Sequence, residues 1–321
     1  MSIKLNAEHI VNQWLKLKPD DRFLIITNSK HIEDICVIKD IAEAQGIFTV
    51  ILVMPENQTQ VGTFFNSIQP TLDLFTVVMG ATEYSLITNK AVAESVSKGA
   101  RFLSFPMSTN SGKSILSYDF LSMDCNEALS NANKIMPILK NSNTIRVTTE
   151  LGTELIFDKT NRKTDCFVGM ADKPYQISSS SFEVYVPIIE NAAEGKAILD
   201  GSLGYLGKID KPIEANFSKG KISVSDNTAL GKKLIEYLKS FGDENIYNAA
   251  EFGIGLNKKA QCRGDSYIED ESTYGTFHIG MGRNIALGGF HNAKGHFDLV
   301  IKNPTIYGDA ICIMKNGDLI L

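Results

Sequence analysis

The sequence predicts an α/β N-terminal domain with a mostly parallel sheet, followed by a strand-rich α+β domain that carries a metal site. Three observations predict this. Apolar runs alternate with segments of helical spacing as far as about residue 142. Beyond it, short alternating strands take over, interrupted by one clear helix. Three of the five histidines and a set of carboxylates then crowd the glycine-rich last third. The domains are accordingly placed at 1–142 and 143–321.

Each element has its own signal. AEHIVNQWLKL repeats apolar residues at helical spacing, with Asn6 as its expected cap. RFLIITN (Arg22 to Asn28) is a run of buried-strand length. HIEDICVIKDIAEAQG follows as a helix that stops at Gly46. IFTVILVMP is the next strand, ended by Pro55, and LDLFTVVMG and ARFLSFP supply two more. Strands separated by helices require right-handed crossovers between parallel neighbours. NEALSNANKIMPIL (Asn126 to Leu139) closes this half as a helix. NTIRVTTELGTELIFDKT then reads as two strands hinged at Leu151-Gly152. FEVYVPI, GKAILDGS and PIEANFSKGKISVS add strands, and Asn227 to Gly242 is a helix. DAICIMKNGDLIL turns at Asn316-Gly317, a pair suited to a type I′ hairpin.

Composition excludes several classes. Lys and Arg number 32 against 37 Asp and Glu, for a net charge of −5, and no extended basic cluster occurs. Nucleic acid is therefore not an expected partner. No apolar run approaches the roughly 18 residues that span a bilayer. The N-terminus is polar and unlike a signal peptide, so a cytoplasmic location with no membrane partner is expected. The five cysteines, Cys36, Cys125, Cys166, Cys262 and Cys312, are odd in number, widely spaced and without Cys-x-x-Cys. Reduced thiols are expected.

The N-terminal half lacks nucleotide motifs. SKHIED after the first strand has no glycine fingerprint. MSTNSGKS (Met107 to Ser114) lacks the leading glycine of a phosphate loop and reads as a polar helix entry. No Gly-x-Ser-x-Gly elbow occurs, and Ser178 to Ser181 reads as a loop. YIEDES (Tyr267 to Ser272) reads as a solvated loop, and His9 and His31 receive no role.

The chemistry gathers in the second half. In GHFDLVI (Gly295 to Ile301) the alternation predicts a strand on which His296 and Asp298 project together, about 7 Å apart along the chain. His278 lies in TFHIGMG, a second strand, and Glu251 lies upstream in AEFGIGLN. A single strand histidine is most often a hydrogen-bonded structural residue. Imidazoles and carboxylates in this combination are instead the mixed donor set of zinc, cobalt, manganese and ferrous iron.

Four segments occur in order: SSFEVYVPIIENAAEGKAILDGSLGYLG (Ser180 to Gly207), AEFGIGLN (Ala250 to Asn257), YGTFHIGMGRNIALGG (Tyr274 to Gly289) and GHFDLVIKNPTIYGD (Gly295 to Asp309). This series resembles the aminopeptidase T family of metallo-aminopeptidases, whose fold puts a two-metal domain after an α/β domain. The Glu of the Glu-Val-aromatic motif falls on Glu183, and that of the Gly/Ala-Glu motif on Glu251. The Gly-Thr-x-His-x-x-x-Gly motif falls on His278, and the terminal His-x-Asp on His296 and Asp298. The resemblance implies that these five hold one or two divalent ions, zinc, cobalt or manganese. It makes Glu183 and Glu251 the catalytic carboxylates, with Glu251 a ligand and Glu183 either ligand or base. It further implies a homodimeric hydrolase acting on short peptides or another small-molecule substrate through a metal-activated water. One departure is Ile285, where peptidase members carry a Tyr seven residues after the first His.

A related branch, the 2,5-dihydroxypyridine dioxygenases, holds one ferrous iron with two His and one Asp. His278, His296 and Asp298 match that triad. The alternative readings are thus a mononuclear non-haem iron ring-cleaving dioxygenase, or a non-catalytic relative. His291 stands nearby, either bordering the pocket or as an exposed loop residue, and Arg283 either meets a substrate carboxylate or forms a surface salt bridge.

Overall fold

The computed structural model describes residues 2–55, 62–225 and 227–321, with no side chains described at 62–64. The chain divides into two compact units, residues 1–125 with 167–181, and residues 126–166 with 182–321.

The first unit opens with α1 (Ile3–His9), then β1 (Arg22–Asn28), α2 (Ile32–Ala44), β2 (Phe48–Met54), α3 (Gly62–Ser67), α4 (Gln69–Leu72), β3 (Val77–Ala81), α5 (Lys90–Ser97) and β4 (Arg101–Ser104). Helix α6 (Cys125–Asn141) leads into β5 (Thr144–Thr148), β6 (Glu154–Asp158) and β7 (Asp165–Val168). The chain then supplies β8 (Ile177–Ser179) to the first unit's sheet, whose order is β2-β1-β3-β4-β8, every pair parallel. A parallel sheet is covered on both faces, which is why β1, β3 and β4 read as unbroken apolar runs. Leu24, Ile26, Val78 and Phe102 sit in its core with Phe65, Leu72 and Val92.

Three local expectations need correction. Ser178–Ser181 is not a loop: Ser178 and Ser179 belong to β8, and all four serines are buried. Asn6 does not cap the first helix. Ser2 does, accepting from the Leu5 amide, while buried Asn6 donates to the Leu116 and Tyr118 carbonyls. In LDLFTVVMG only Val77 onward is strand, because Leu72 ends α4.

The second unit continues with β9 (Phe182–Pro187), β10 (Glu194–Leu199), β11 (Ser202–Leu203), β12 (Gly207–Lys208), β13 (Ile213–Ser218), β14 (Lys221–Val224), α7 (Ala229–Ser240), β15 (Ala249–Gly255), α8 (Tyr267–Ser272), β16 (Thr276–Gly282), β17 (His296–Lys302), β18 (Thr305–Gly308), β19 (Ile311–Lys315) and β20 (Asp318–Leu319). An eight-stranded sheet runs β14-β13-β10-β6-β5-β18-β19-β20, and a seven-stranded sheet β12-β11-β17-β16-β15-β9-β7. At the last hairpin Asn316 and Gly317 both take positive φ, 50° and 86°, as a type I′ turn requires. A parallel sheet followed by a strand-rich antiparallel region is the fold class read from the sequence.

One face of the seven-stranded sheet is core. Val184, Val186, Phe252, Ile254, Phe277, Ile279 and Leu299 alternate onto it, all buried. Phe252 meets Phe157 of the eight-stranded sheet at 5.7 Å between ring centroids and Phe277 at 5.8 Å. Each such ring contributes roughly 1.5–3 kcal/mol by leaving water. That packing fixes the strand register, and the register decides what the opposite face presents.

Candidate metal centre

Residues two apart on a strand share a face. Glu183 and Tyr185 on β9, Glu251 and Gly253 on β15, His278 and Gly280 on β16, and His296 and Asp298 on β17 therefore point the same way. Strand pairing sets them side by side. Gly253 lies opposite both Tyr185 and His278, and Gly280 lies opposite both Glu251 and Asp298. Glu183, Glu251, His278 and Asp298 are each at most 5% exposed, and the His296 side chain is 26% exposed. All five residues selected from the sequence are thus brought together.

The glycines make the room. A Cβ on Gly253 would run into the His278 ring. One on Gly280 would stand 2.7 Å from His296 Cε1 and 2.8 Å from Glu251 Cβ. Glycine weakens a central strand, and it occurs where another group approaches the backbone closely. Here the approaching groups are the imidazoles and a carboxylate.

His278 Nε2 lies 2.9 Å from Glu183 Oε2. His296 Nε2 lies 3.3 Å from Glu251 Oε2 and 3.3 Å from Asp298 Oδ1. Glu183, Glu251 and His278 offer donor atoms within 4.8 Å of one another, and so do Glu251, His296 and Asp298, so Glu251 belongs to both groups. His296 Nδ1 donates to the Arg283 carbonyl at 2.8 Å, which leaves Nε2 to face the carboxylates. Ligands about 2.1 Å from an ion and at right angles stand about 3 Å apart, so this donor set fits a divalent cation.

Electrostatics agree with that fit. Burial disfavours the charged form of His278, but its hydrogen bond to Glu183 and the surrounding carboxylates prevail and lift it to about 9. His296 is likewise opposed by burial, yet Asp298 and Glu251 raise it well above its usual range. Burial and the Glu183 charge raise the Glu251 carboxyl, against the pull of His296. Asp298 is held below its usual range because His296, His278 and a hydrogen bond from Glu271 outweigh burial.

Glu271 is the member that sequence reasoning missed. YIEDES is not a solvated loop but α8, whose residues Ile268 to Ser272 are all buried. Ser272 Oγ accepts the Phe182 amide at 3.0 Å, pinning α8 against β9. Burial, and then the charges of Asp298 and Glu183, push the Glu271 carboxyl well upward, toward the neutral form that donates to Asp298. Burial, followed by the neighbouring Tyr205 and Glu271, does the same to the Tyr267 hydroxyl. The signal available in the sequence was Ile268, the one strongly apolar residue in an acidic run.

The remaining candidates fall outside the cluster. Ile285 is 48% exposed. Arg283 bonds the Asn292 side chain at 2.6 Å in an exposed loop. The His291 amide donates to Asn284 Oδ1 at 2.9 Å.

Comparison with known proteins supplies the family. The chain belongs to the 2,5-dihydroxypyridine 5,6-dioxygenase (NicX) family, whose model matches residues 65–321. A 2,5-dihydroxypyridine 5,6-dioxygenase of Pseudomonas putida is 28% identical over 142 residues, a stretch covering 41% of this chain and 41% of that protein. The structure of a 2,5-dihydroxypyridine dioxygenase from Pseudomonas putida superposes with a TM-score of 0.83 at 17% identity, covering 99% of this chain and 96% of that one. AmpT from Thermus thermophilus superposes with a TM-score of 0.66 at 11% identity, covering 99% of both chains. These two superpositions speak to fold alone. The family model makes the chain an enzyme of a dioxygenase family. It overturns the expected aminopeptidase, and with it the reading as a zinc-dependent protease or other hydrolase. The resemblance to the aminopeptidase T family survives as a shared fold. No helix among the described residues is long and apolar enough to cross a membrane.

Proposed function

We propose that this protein is a metal-dependent dioxygenase that opens the ring of a dihydroxylated pyridine, with ferrous iron as its metal. Family membership supports the reaction class. The location is carried by one observation: two imidazoles and three carboxylates, all but His296 buried, gathered on one sheet face inside the matched region, in space cleared by Gly253 and Gly280. His278, His296 and Asp298 would hold the ion, with Glu251 as the carboxylate shared between the two donor groups. When bound, the ion would supply a Lewis-acidic, redox-active centre.

The chain's own residues do the rest. Arg283 fixes the His296 tautomer through its carbonyl. Glu183 stands 2.9 Å from His278 Nε2, so its carboxylate is placed either to take the proton that His278 would give up to a bound ion or, with that proton lost to solvent, to act as a base toward a ring hydroxyl. Protonated Glu271 keeps Asp298 ionised and oriented. The test is oxygen uptake by the iron-loaded enzyme with 2,5-dihydroxypyridine, read together with loss of the aromatic absorption. Stoichiometric consumption of both is expected. Iron uptake with no oxygen consumption on any dihydroxypyridine would sink the reading.

A further inference from the structure

Asn284 is a buried polar side chain outside the cluster, 1% exposed, at the start of the loop between β16 and β17. Its Nδ2 donates to Glu190 Oε1 at 2.9 Å and to the Ala250 carbonyl at 3.0 Å, and its Oδ1 accepts the His291 amide at 2.9 Å. Its main-chain N–H donates to the His291 carbonyl, and its own carbonyl accepts the Leu287 and Gly289 amides. Gly289 lies so close that any Cβ there would overlap the Asn284 amide. Glu190 in turn accepts the Phe290 amide at 2.7 Å and Arg162 at 2.7 Å, while Arg162 also reaches the Gly288 carbonyl at 3.1 Å.

Two of these links end at the metal centre. Ala250 is the residue at which the β15–β16 register shifts, directly before Glu251. A bulge beside a site re-aims the next side chain, and the Asn284 amide holds this one in place with the Ile188 amide. The second link is the peptide joining Arg283 to Asn284. Its carbonyl takes the His296 Nδ1 proton, and its N–H is clamped to His291. One residue therefore ties the backbone that aims Glu251, through its side chain, to the backbone that orients His296, through its own peptide and its side-chain bond to the His291 amide.

We infer that Asn284 is the positioning residue of the metal centre, setting Glu251 and His296 at their mutual spacing; the inference rests on the metal reading proposed above. Groups that orient ligands in this way typically change metal affinity by about 10- to 100-fold when altered. Asn284→Asp is nearly isosteric and keeps Oδ1 for His291. It replaces the amide donor with an oxygen that faces Glu190 and the Ala250 carbonyl.

The experiment is cobalt(II) titration of the metal-free full chain, read by dissociation constant and by the visible spectrum, with a thermal melt of each metal-free protein alongside. Asn284→Asp should bind cobalt about 10- to 100-fold more weakly with altered band intensities. Phe290→Ala removes an exposed ring resting on Arg162 and leaves every Asn284 bond in place, so it should match the parent. Parent-like affinity and spectrum in Asn284→Asp would overturn the inference. So would an equal loss in Phe290→Ala, because general loosening of the loop would then be the cause. If Asn284→Asp does not fold, Asn284→Ser is read in its place, and failure of both to fold makes the residue a folding element and also overturns the inference. A parent protein that takes up no cobalt is a distinct result, and it removes the metal site itself.

Discussion

Asp21 with Arg101 in the first unit, and the Glu251–His296–Asp298 group in the second, are both buried charge, but they are built on opposite plans. Arg101 meets Asp21 at 2.7 Å, and the remaining lone pairs of Asp21 accept Thr76 Oγ1 and the Lys18 amide, each at 2.9 Å. One cation meets one anion. On the sheet face, Glu183, Glu251 and Asp298 face two imidazoles, with Glu271 kept neutral beside them. Carboxylates outnumber imidazoles on this face. A balanced pair needs nothing further, whereas a buried anionic excess is what a bound cation offsets.

The largest effect expected from this contrast is on stability. Asp21→Ala should cost about 3–5 kcal/mol in denaturant unfolding, because it leaves Arg101 charged, buried and unpaired. Metal affinity should be unchanged. Asp298→Ala should act chiefly on metal binding. Metal-free unfolding should shift by less than in Asp21→Ala, because only the stability tied to the depressed Asp298 carboxyl is lost, while metal content falls and turnover drops by more than about 100-fold, beyond the cost of altering a supporting residue. A large stability loss in Asp298→Ala would erase the distinction between the two clusters.

Much of this contrast is legible in the sequence, and the rest is hidden for physical reasons. Alternation in FEVYVP, AEFGIG, TFHIGMG and HFDLVI shows which residues share a face, because strand periodicity is local. Glu251, His278, His296 and Asp298 stand out on those strands, and Glu183 follows from the family resemblance. Neighbouring strands are not local information, so the clearance of His278 by Gly253 awaited the register. The burial of YIEDES is a tertiary event that overrides a solvated composition. Asn284 was passed over because its partners Glu190 and Ala250 lie 94 and 34 residues away in the chain. The short β8 run, Ile177–Ser179, carries too little pattern to betray a fifth parallel strand.

A pH series sharpens the comparison next. In the metal-free protein His278 is raised from 6.5 to about 9, so the stability it contributes is complete below pH 6.5 and is lost as pH rises through 9. An ion must displace the same proton, so metal affinity should climb over that window. Thermal melts and cobalt titrations should therefore move in opposite directions, and a metal-free protein that gains stability across the window would contradict the assignment.

The smallest effect belongs to Glu83 in the first unit, which His31, Lys30 and Ser108 hydrogen-bond and hold down at about 2 against the opposing effect of burial. Its contribution is present above pH 4.5 and disappears as pH falls toward 2. Glu83→Gln should cost about 1 kcal/mol at neutral pH and nothing at the acid end. A constant difference across the acid range would mean that packing, not charge, holds Glu83.

The central claim is that the polar face of the seven-stranded sheet holds a divalent metal. Anomalous diffraction at the iron edge from crystals of the ferrous-loaded protein tests it directly. The account predicts a peak within bonding distance of His278 Nε2, His296 Nε2 and an Asp298 oxygen. Full iron loading in solution with no peak there, or with the peak elsewhere in the chain, would contradict it.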